Sequence, residues 1–151
     1  MVTVIVQNLI TNAVKYTPEK GAIAVDIRPV KADDIINDIL GSKAPESGVM
    51  LSVIDTGIGI PASQQDKIFG KLFRADNAQT YDVGGTGLGL YVTRSFIEAF
   101  GGSIWFQSTE GKGTTFFVYI PLVSHAPGEP EFKPGKPNLQ PIRSQSPGVK
   151  S

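Results

Sequence analysis

Fourteen basic and fourteen acidic residues balance over a chain of 151, with one histidine and no cysteine. The balance gives no electrostatic reason to expect a nucleic-acid or membrane surface, and the missing thiols exclude disulfides, zinc–thiolate sites and cysteine nucleophiles. The length suits one domain; with no apolar run long enough to cross a bilayer and no basic start at Met1-Val2-Thr3-Val4, a cytoplasmic location is expected, as for the cytoplasmic portion of a membrane receptor.

At the start of the chain propensity and period disagree. Val2-Thr3-Val4-Ile5-Val6 reads as strand by composition. On a helical wheel, however, Val2, Ile5, Val6, Leu9, Ala13 and Tyr16 form one apolar arc, with Asn8, Asn12 and Lys15 on a narrow polar arc, and period predicts a helix over 1–16. Spacings of four and three let the polar groups address one ligand from one side. The helix has no evident N-cap, so sequence is expected to precede it. Thr17-Pro18-Glu19-Lys20-Gly21 ends it. A strand follows in which Ile23, Val25 and Ile27 alternate with Ala24, Asp26 and Arg28, the pattern of a sheet with one buried face. Lys31 to Ser47 reads as a polar, peripheral insertion whose Ile35-Ile36 and Ile39-Leu40 could form a turn of helix.

The rest of the chain is organised around Leu51-Ser52-Val53-Ile54-Asp55-Thr56-Gly57-Ile58-Gly59-Ile60-Pro61. Val49 to Ile54 is a continuous apolar run, as in a strand covered on both faces. Asp55 therefore stands where a central strand leaves the sheet, and a carboxylate there needs donors. Gly57 and Gly59 allow unusual dihedrals or close approach of a flat ligand. An acceptor beside such a surface suits a ring with an exocyclic amine; a strand-end aspartate capping a turn is the plainer alternative. Pro61 suits the first position of a short helix carrying Ile68 and Phe69. Arg74 to Gly87 reads as a loop and candidate lid, with Phe69, Leu72 and Phe73 as its anchor or as core.

Gly84-Gly85-Thr86-Gly87-Leu88-Gly89-Leu90 opens a helix ending at Phe100, with Gly101-Gly102 as its exit. Unpaired amides and the positive end of the helix dipole favour an anion there, and the glycines let a phosphate come close. Ser103 to Ser108 and Thr114 to Ile120 are strands joined by a hairpin turn at 109–113. Ile104 and Phe106 face one way and Trp105 the other, and the second strand is large-sided on both faces, as in an interior strand. A domain over 1–123 is thus followed by a Pro/Ser/Gly-rich tail over 124–151, expected to be disordered, with His125 as a solvated tail residue.

Together, a carboxylate for an amine-bearing ring, a helix N-terminus for phosphates, and asparagines with a lysine on another helix suit a purine nucleoside triphosphate with Mg²⁺. Mg²⁺ prefers oxygen ligands and keeps waters, so the Asn12 carbonyl oxygen with phosphate oxygens is a plausible shell. Lys15, one turn on, can offset phosphate charge.

The order N-L-x-x-N-A-x-K-Y, D-x-G-x-G, I-F-x-x-L-F-R, G-T-G-L-G-L and G-x-G-T-x-F resembles the N, G1, F, G2 and G3 boxes of sensor histidine kinases, over Val2 to about Leu122. The resemblance implies the ATP-binding catalytic domain of the Bergerat or GHKL fold. That is an α+β two-layer sandwich with a mixed, mainly antiparallel sheet, helices on one face and an ATP lid, here lacking a strand expected before the first helix. It implies that Asn12 holds Mg²⁺, Lys15 meets phosphate, Tyr16 lies near the nucleotide and Asp55 takes the adenine amine past Gly57 and Gly59. Arg74 would approach the terminal phosphate, and Gly85, Gly87 and Gly89 would cradle phosphates, with Leu88 beside them. Ile60, Phe73, Thr86 and Thr115 join the nucleotide-binding positions on the same ground.

ATPase branches of that superfamily, such as gyrase, carry a water-activating glutamate four residues before the metal-binding asparagine. Here the position is Asn8, which cannot accept a proton near neutral pH, so slow hydrolysis and a kinase role are implied. Transfer to a neutral histidine needs mainly positioning and charge stabilisation. The family's phosphoacceptor histidine sits on a dimerising helical hairpin before this domain, and His125 does not match it. The implied partners are such a hairpin, separate or upstream, and a downstream response regulator. Two alternatives stand beside this reading: a GHKL serine kinase of the anti-sigma type, and a non-catalytic, nucleotide-responsive interaction module.

Overall fold

The computed structural model describes residues 2–37, 42–80 and 85–122. The tail over 124–151 with His125, the Ile39-Leu40 pair and Gly84 lie outside the described residues. Period overrides propensity at the start: α1 spans Val2–Tyr16, burying Ile5, Leu9 and Ala13. The arc is narrower than expected, since Val2 remains 52% exposed.

Four strands form the main sheet: β1 (Ile23–Val30), β4 (Gly48–Asp55), β5 (Ser103–Thr109) and β6 (Gly113–Pro121), in the order β1-β4-β6-β5. The resemblance implied a mixed, mainly antiparallel sheet; among the described residues its pairings are all antiparallel. β4 and β6 take the two interior places, as their unbroken apolar runs predict. Against one face pack α1 and α3 (Gly89–Ala99). Ile5, Leu9, Leu51, Val53, Ile97, Phe116 and Val118 form the core between them. Asn8 Nδ2 donates to the Oγ1 of the buried Thr93 at 3.1 Å, tying α1 to α3.

Two expectations about the periphery are corrected. The alternation in β1 is present but its apolar face is uncovered, with Val25 at 44% and Ile27 at 64% exposure. These residues lie opposite Val53 and Leu51 and so share the helix-facing side. Their strand is at the sheet edge, beyond the reach of the helices that cover β4 and β6. The 31–47 insertion forms no helix among its described residues; β2 (Ile35–Asn37) pairs with β3 (Ser42–Lys43). It lies on the outer sheet face, where Ile36 and Ala44 are buried with Val30, Met50 and Tyr119. Tyr119 Oη donates to the Glu46 carbonyl at 2.7 Å. Alongside, Trp105 and Phe117 stack with centroids 5.6 Å apart.

Pro61 stands just before, not within, the next helix, a 3-10 segment over Ala62–Lys67 that ends ahead of Ile68. Ile68 joins the core, and Phe69 meets Phe106 and Phe116 edge-on. Leu72 is not part of the core: it is 64% exposed with a left-handed φ of 63°. The expected lid contains a short helix, α2 (Asp76–Thr80). α3 closes as predicted, with Gly101 at φ 71° and the Gly101 and Gly102 amides returning to Glu98 and Ile97 carbonyls.

Candidate functional site

Asp55 is the last residue of β4, paired with Thr114 at the start of β6. Its Oδ1 accepts from the Gly57 amide at 2.8 Å and the Thr114 amide at 3.2 Å. One carboxylate oxygen is thus fixed by two backbone donors. Burial pushes the carboxyl pKa above its ordinary value of 3.8 against the lowering effect of those two amides. The folded protein therefore holds this proton more tightly than the unfolded chain, and the residue costs stability as pH rises from 3.8 through its folded pKa.

The segment after Asp55 is held on both sides. Ile58 N donates to the Tyr16 carbonyl at 3.0 Å, and Gly111 N from the hairpin turn donates to the Ile58 carbonyl at 2.8 Å. Ile60 N reaches Ser108 Oγ at 2.9 Å, and that hydroxyl also lies 2.8 Å from Thr114 Oγ1. The glycines serve this backbone packing. A Cβ on Gly57 would stand 2.4 Å from the Tyr16 carbonyl oxygen, and one on Gly59, at φ 64°, 2.1 Å from that of Thr109.

A cavity of about 250 Å³ opens beside Asp55. Its wall contains Asn12, Lys15, Tyr16, Asp55, Gly59, Ile60, Phe73, Arg74, Gly85, Thr86, Gly87 and Gly89, so most of the residues expected from the sequence are brought together. Tyr16 lies beneath the Lys15 ammonium, 5.2 Å from ring centroid to Nζ. Arg74 Nη2 donates to the Ala78 carbonyl at 3.2 Å. Gly87, at φ 69°, passes so close to the Leu72–Phe73 peptide that a Cβ would lie 2.7 Å from the Leu72 carbonyl carbon. Gly89 differs: an added Cβ would meet nothing within 4 Å. Packing gives no reason for glycine there, whereas an anion approaching the start of α3 does.

Four expected residues are not in the cavity wall. Asn8 is turned to Thr93 on α3. Gly57 lies behind Asp55, against the end of α1. Leu88 is the N-cap residue of α3, with its backbone amide 3.4 Å from Thr86 Oγ1. Thr115 pairs with Ile54 and Gln107 and so faces the other side of the sheet from Thr114. Thr114 lines the cavity instead, and it occupies the threonine of the G-x-G-T-x-F pattern, so the signal was in the sequence one position earlier. Ile58, Ile68, Ala75, Asn77, Ala78, Leu90 and Phe116 complete the wall. No group of three or more His, Cys, Asp or Glu able to hold a metal exists among the described residues. A cation here would depend on Asn12 and on oxygens supplied by the ligand.

Comparison with known proteins agrees with this fold. Sensor histidine kinase WalK of Bacillus subtilis (strain 168) is 38% identical over 120 residues, 80% of this chain and 18% of that protein. The chain therefore spans about a fifth of that relative's length. Among solved structures, the nucleotide-free catalytic domain of histidine kinase ThkA is 31% identical with a TM-score of 0.55, covering 78% of this chain and 64% of that one. Full-length ShkA in complex with AMPPNP is 26% identical with a TM-score of 0.59, covering 83% of this chain and 22% of that one. Residues 1–124 match the family described as histidine kinase-, DNA gyrase B-, and HSP90-like ATPase, and the chain belongs to that family of ATP-binding domains.

Proposed function

We propose that this chain is the Mg-ATP-binding catalytic domain of a sensor histidine kinase. It supplies the γ-phosphoryl group to a histidine on a helical-hairpin dimerisation domain, and a response regulator then receives the signal. The observation that carries the reading is the position of Asp55. Its Oδ1 is fixed on two amides and it faces a cavity bordered by the glycine-bearing start of α3 and by Asn12 and Lys15 of α1. An adenine amine would donate to Oδ2, and the triphosphate would extend toward Gly85, Thr86 and Gly89. Lys15 and Arg74 would offset phosphate charge. Mg²⁺ on the Asn12 oxygen and phosphate oxygens would neutralise charge developing during transfer. Asn8 offers no base near neutral pH, which supports transfer over hydrolysis. The AMPPNP in the ShkA complex and the WalK relationship support the same reading.

Titration with Mg-ATP tests the site. Asn12→Ala is expected to abolish the Mg²⁺-dependent gain in affinity while binding without the metal changes little; unchanged Mg²⁺ dependence would remove Asn12 from the metal shell. Gly89→Ala isolates the phosphate cradle. With open space around the new methyl, melting temperature should hold or rise slightly, while ATP affinity falls roughly tenfold and adenosine affinity does not. Equal losses for ATP and adenosine would place the phosphates elsewhere. Phosphotransfer is tested by incubating the protein with γ-labelled ATP and a histidine-kinase helical-hairpin domain. Label is expected on the hairpin histidine, and strong labelling of the lone protein would contradict the proposal.

A further inference from the structure

Asn77 on α2 was not singled out by any motif, yet it is built into the cavity wall in an unusual way. Its Nδ2 donates to the Gly59 carbonyl at 2.9 Å, with the Ile58 carbonyl at 3.5 Å as a weaker second neighbour. Because both neighbours are carbonyl oxygens, only the NH2 end of the amide can face them, so the side chain has one orientation. The opposite end, Oδ1, is then buried without a hydrogen-bond partner among the described residues. A buried acceptor left unsatisfied is costly, and its presence in a ligand-sized cavity indicates a donor that arrives with the ligand.

We infer that Asn77 Oδ1 accepts a hydrogen bond from a ribose hydroxyl, so that this residue disfavours a nucleotide that lacks that hydroxyl. This rests on the nucleotide reading above. ATP itself carries hydrogen-bond donors in three places, the adenine amine, the 2′-hydroxyl and the 3′-hydroxyl, and the waters kept by its Mg²⁺ stand at the phosphate end. Asp55 takes the amine, so a hydroxyl is left for Oδ1. Position agrees with chemistry. Asn77 is held against the carbonyls of Ile58 and Gly59, which follow Asp55 within four residues. The sugar is the part of the ligand bonded to the base, and this acceptor is fixed to the segment that leaves Asp55. α2 is itself fastened there by a reciprocal pair, Gln64 Nε2 donating to Asp76 Oδ2 and Asp76 N donating to Gln64 Oε1 at 2.9 Å. The acceptor is therefore held in place rather than carried on an unattached arm.

The test is equilibrium binding of ATP, 2′-deoxyATP and 3′-deoxyATP, each with Mg²⁺, to the wild-type protein and to Asn77→Ala. In wild type one of the two deoxy analogues should bind about tenfold more weakly than ATP. In Asn77→Ala that penalty should vanish, the three nucleotides binding within about twofold of one another. Equal affinities for all three in wild type would overturn the inference without any variant, and so would a deoxy penalty that survives Asn77→Ala. Loss of the nucleotide reading itself would look different: no ATP binding to the wild type at all.

Discussion

The Asp55→Asn variant is expected to lose about 100-fold in ATP affinity and to bind inosine triphosphate more tightly than ATP. The argument begins with the two amides on Oδ1, from Gly57 and Thr114. An asparagine oxygen would stay on those donors, because turning the amide would set NH2 against two N–H groups. Its Nδ2 would then take the place of Oδ2 and point a donor at the adenine amine. Attraction becomes repulsion there, whereas the 6-oxo group of inosine offers an acceptor in the same place. Isothermal titration with both nucleotides checks it, and ATP affinity within threefold of wild type would remove Asp55 from base recognition. The same variant has a pH signature. Since burial raises the Asp55 pKa, its ionisation opposes folding; the stability of Asp55→Asn relative to wild type should grow as pH rises from 3.8 through the folded pKa of Asp55. A more stable protein that has lost its ligand is the expected trade.

Gly113→Ala is expected to be the most damaging single methyl. Gly113 has φ 123°, a conformation that L side chains rarely adopt, and an added Cβ would stand 2.0 Å from the Asp55 carbonyl oxygen. Backbone on both sides leaves no flexible side chain to move away. Strain at φ alone costs roughly 1–3 kcal/mol, and separating the end of β6 from β4 adds to it. A fall of roughly 10 °C or more in melting temperature should follow, measured by circular dichroism. Because Thr114 is the next residue and one of the Asp55 donors, residual folded protein should also bind nucleotide poorly. A melting temperature within 2–3 °C of wild type, a shift that corresponds to less than about 1 kcal/mol, would show that this turn can relax.

The sequence made some of this legible and hid the rest for identifiable reasons. α1 could be read because period-3.6 burial outweighs the β preference of Val2 to Val6. β4 and β6 could be read because strands covered on both faces need no alternation. β1 could be placed as a strand but not as an uncovered one: Ile23, Val25 and Ile27 announce an apolar face without saying what lies over it. The two short strands of the insertion could not be read, because Ile36 and Ala44 are too few to set a period and their burial depends on Met50 and Tyr119 across the outer sheet face. Thr115 was named where Thr114 lines the cavity, because neighbouring strand positions point to opposite sides and register decides between them. Asn77 carries no pattern at all; only the folded chain brings it against Gly59. Gly57 and Gly59 were read partly for ligand access, and close approach of neighbouring backbone accounts for both.

Asp55 ends an interior strand and is braced from β6, while the 85–89 turn belongs to no strand and opens α3 without a side-chain cap. The two halves of the ligand would thus meet supports of unequal stiffness. Docking of the nucleoside should demand little rearrangement, and the loss of conformational freedom should fall on the polyphosphate half. Extending the ligand from adenosine to its triphosphate should then add favourable enthalpy offset by an unfavourable entropy, a thermal signature set by where the sheet ends.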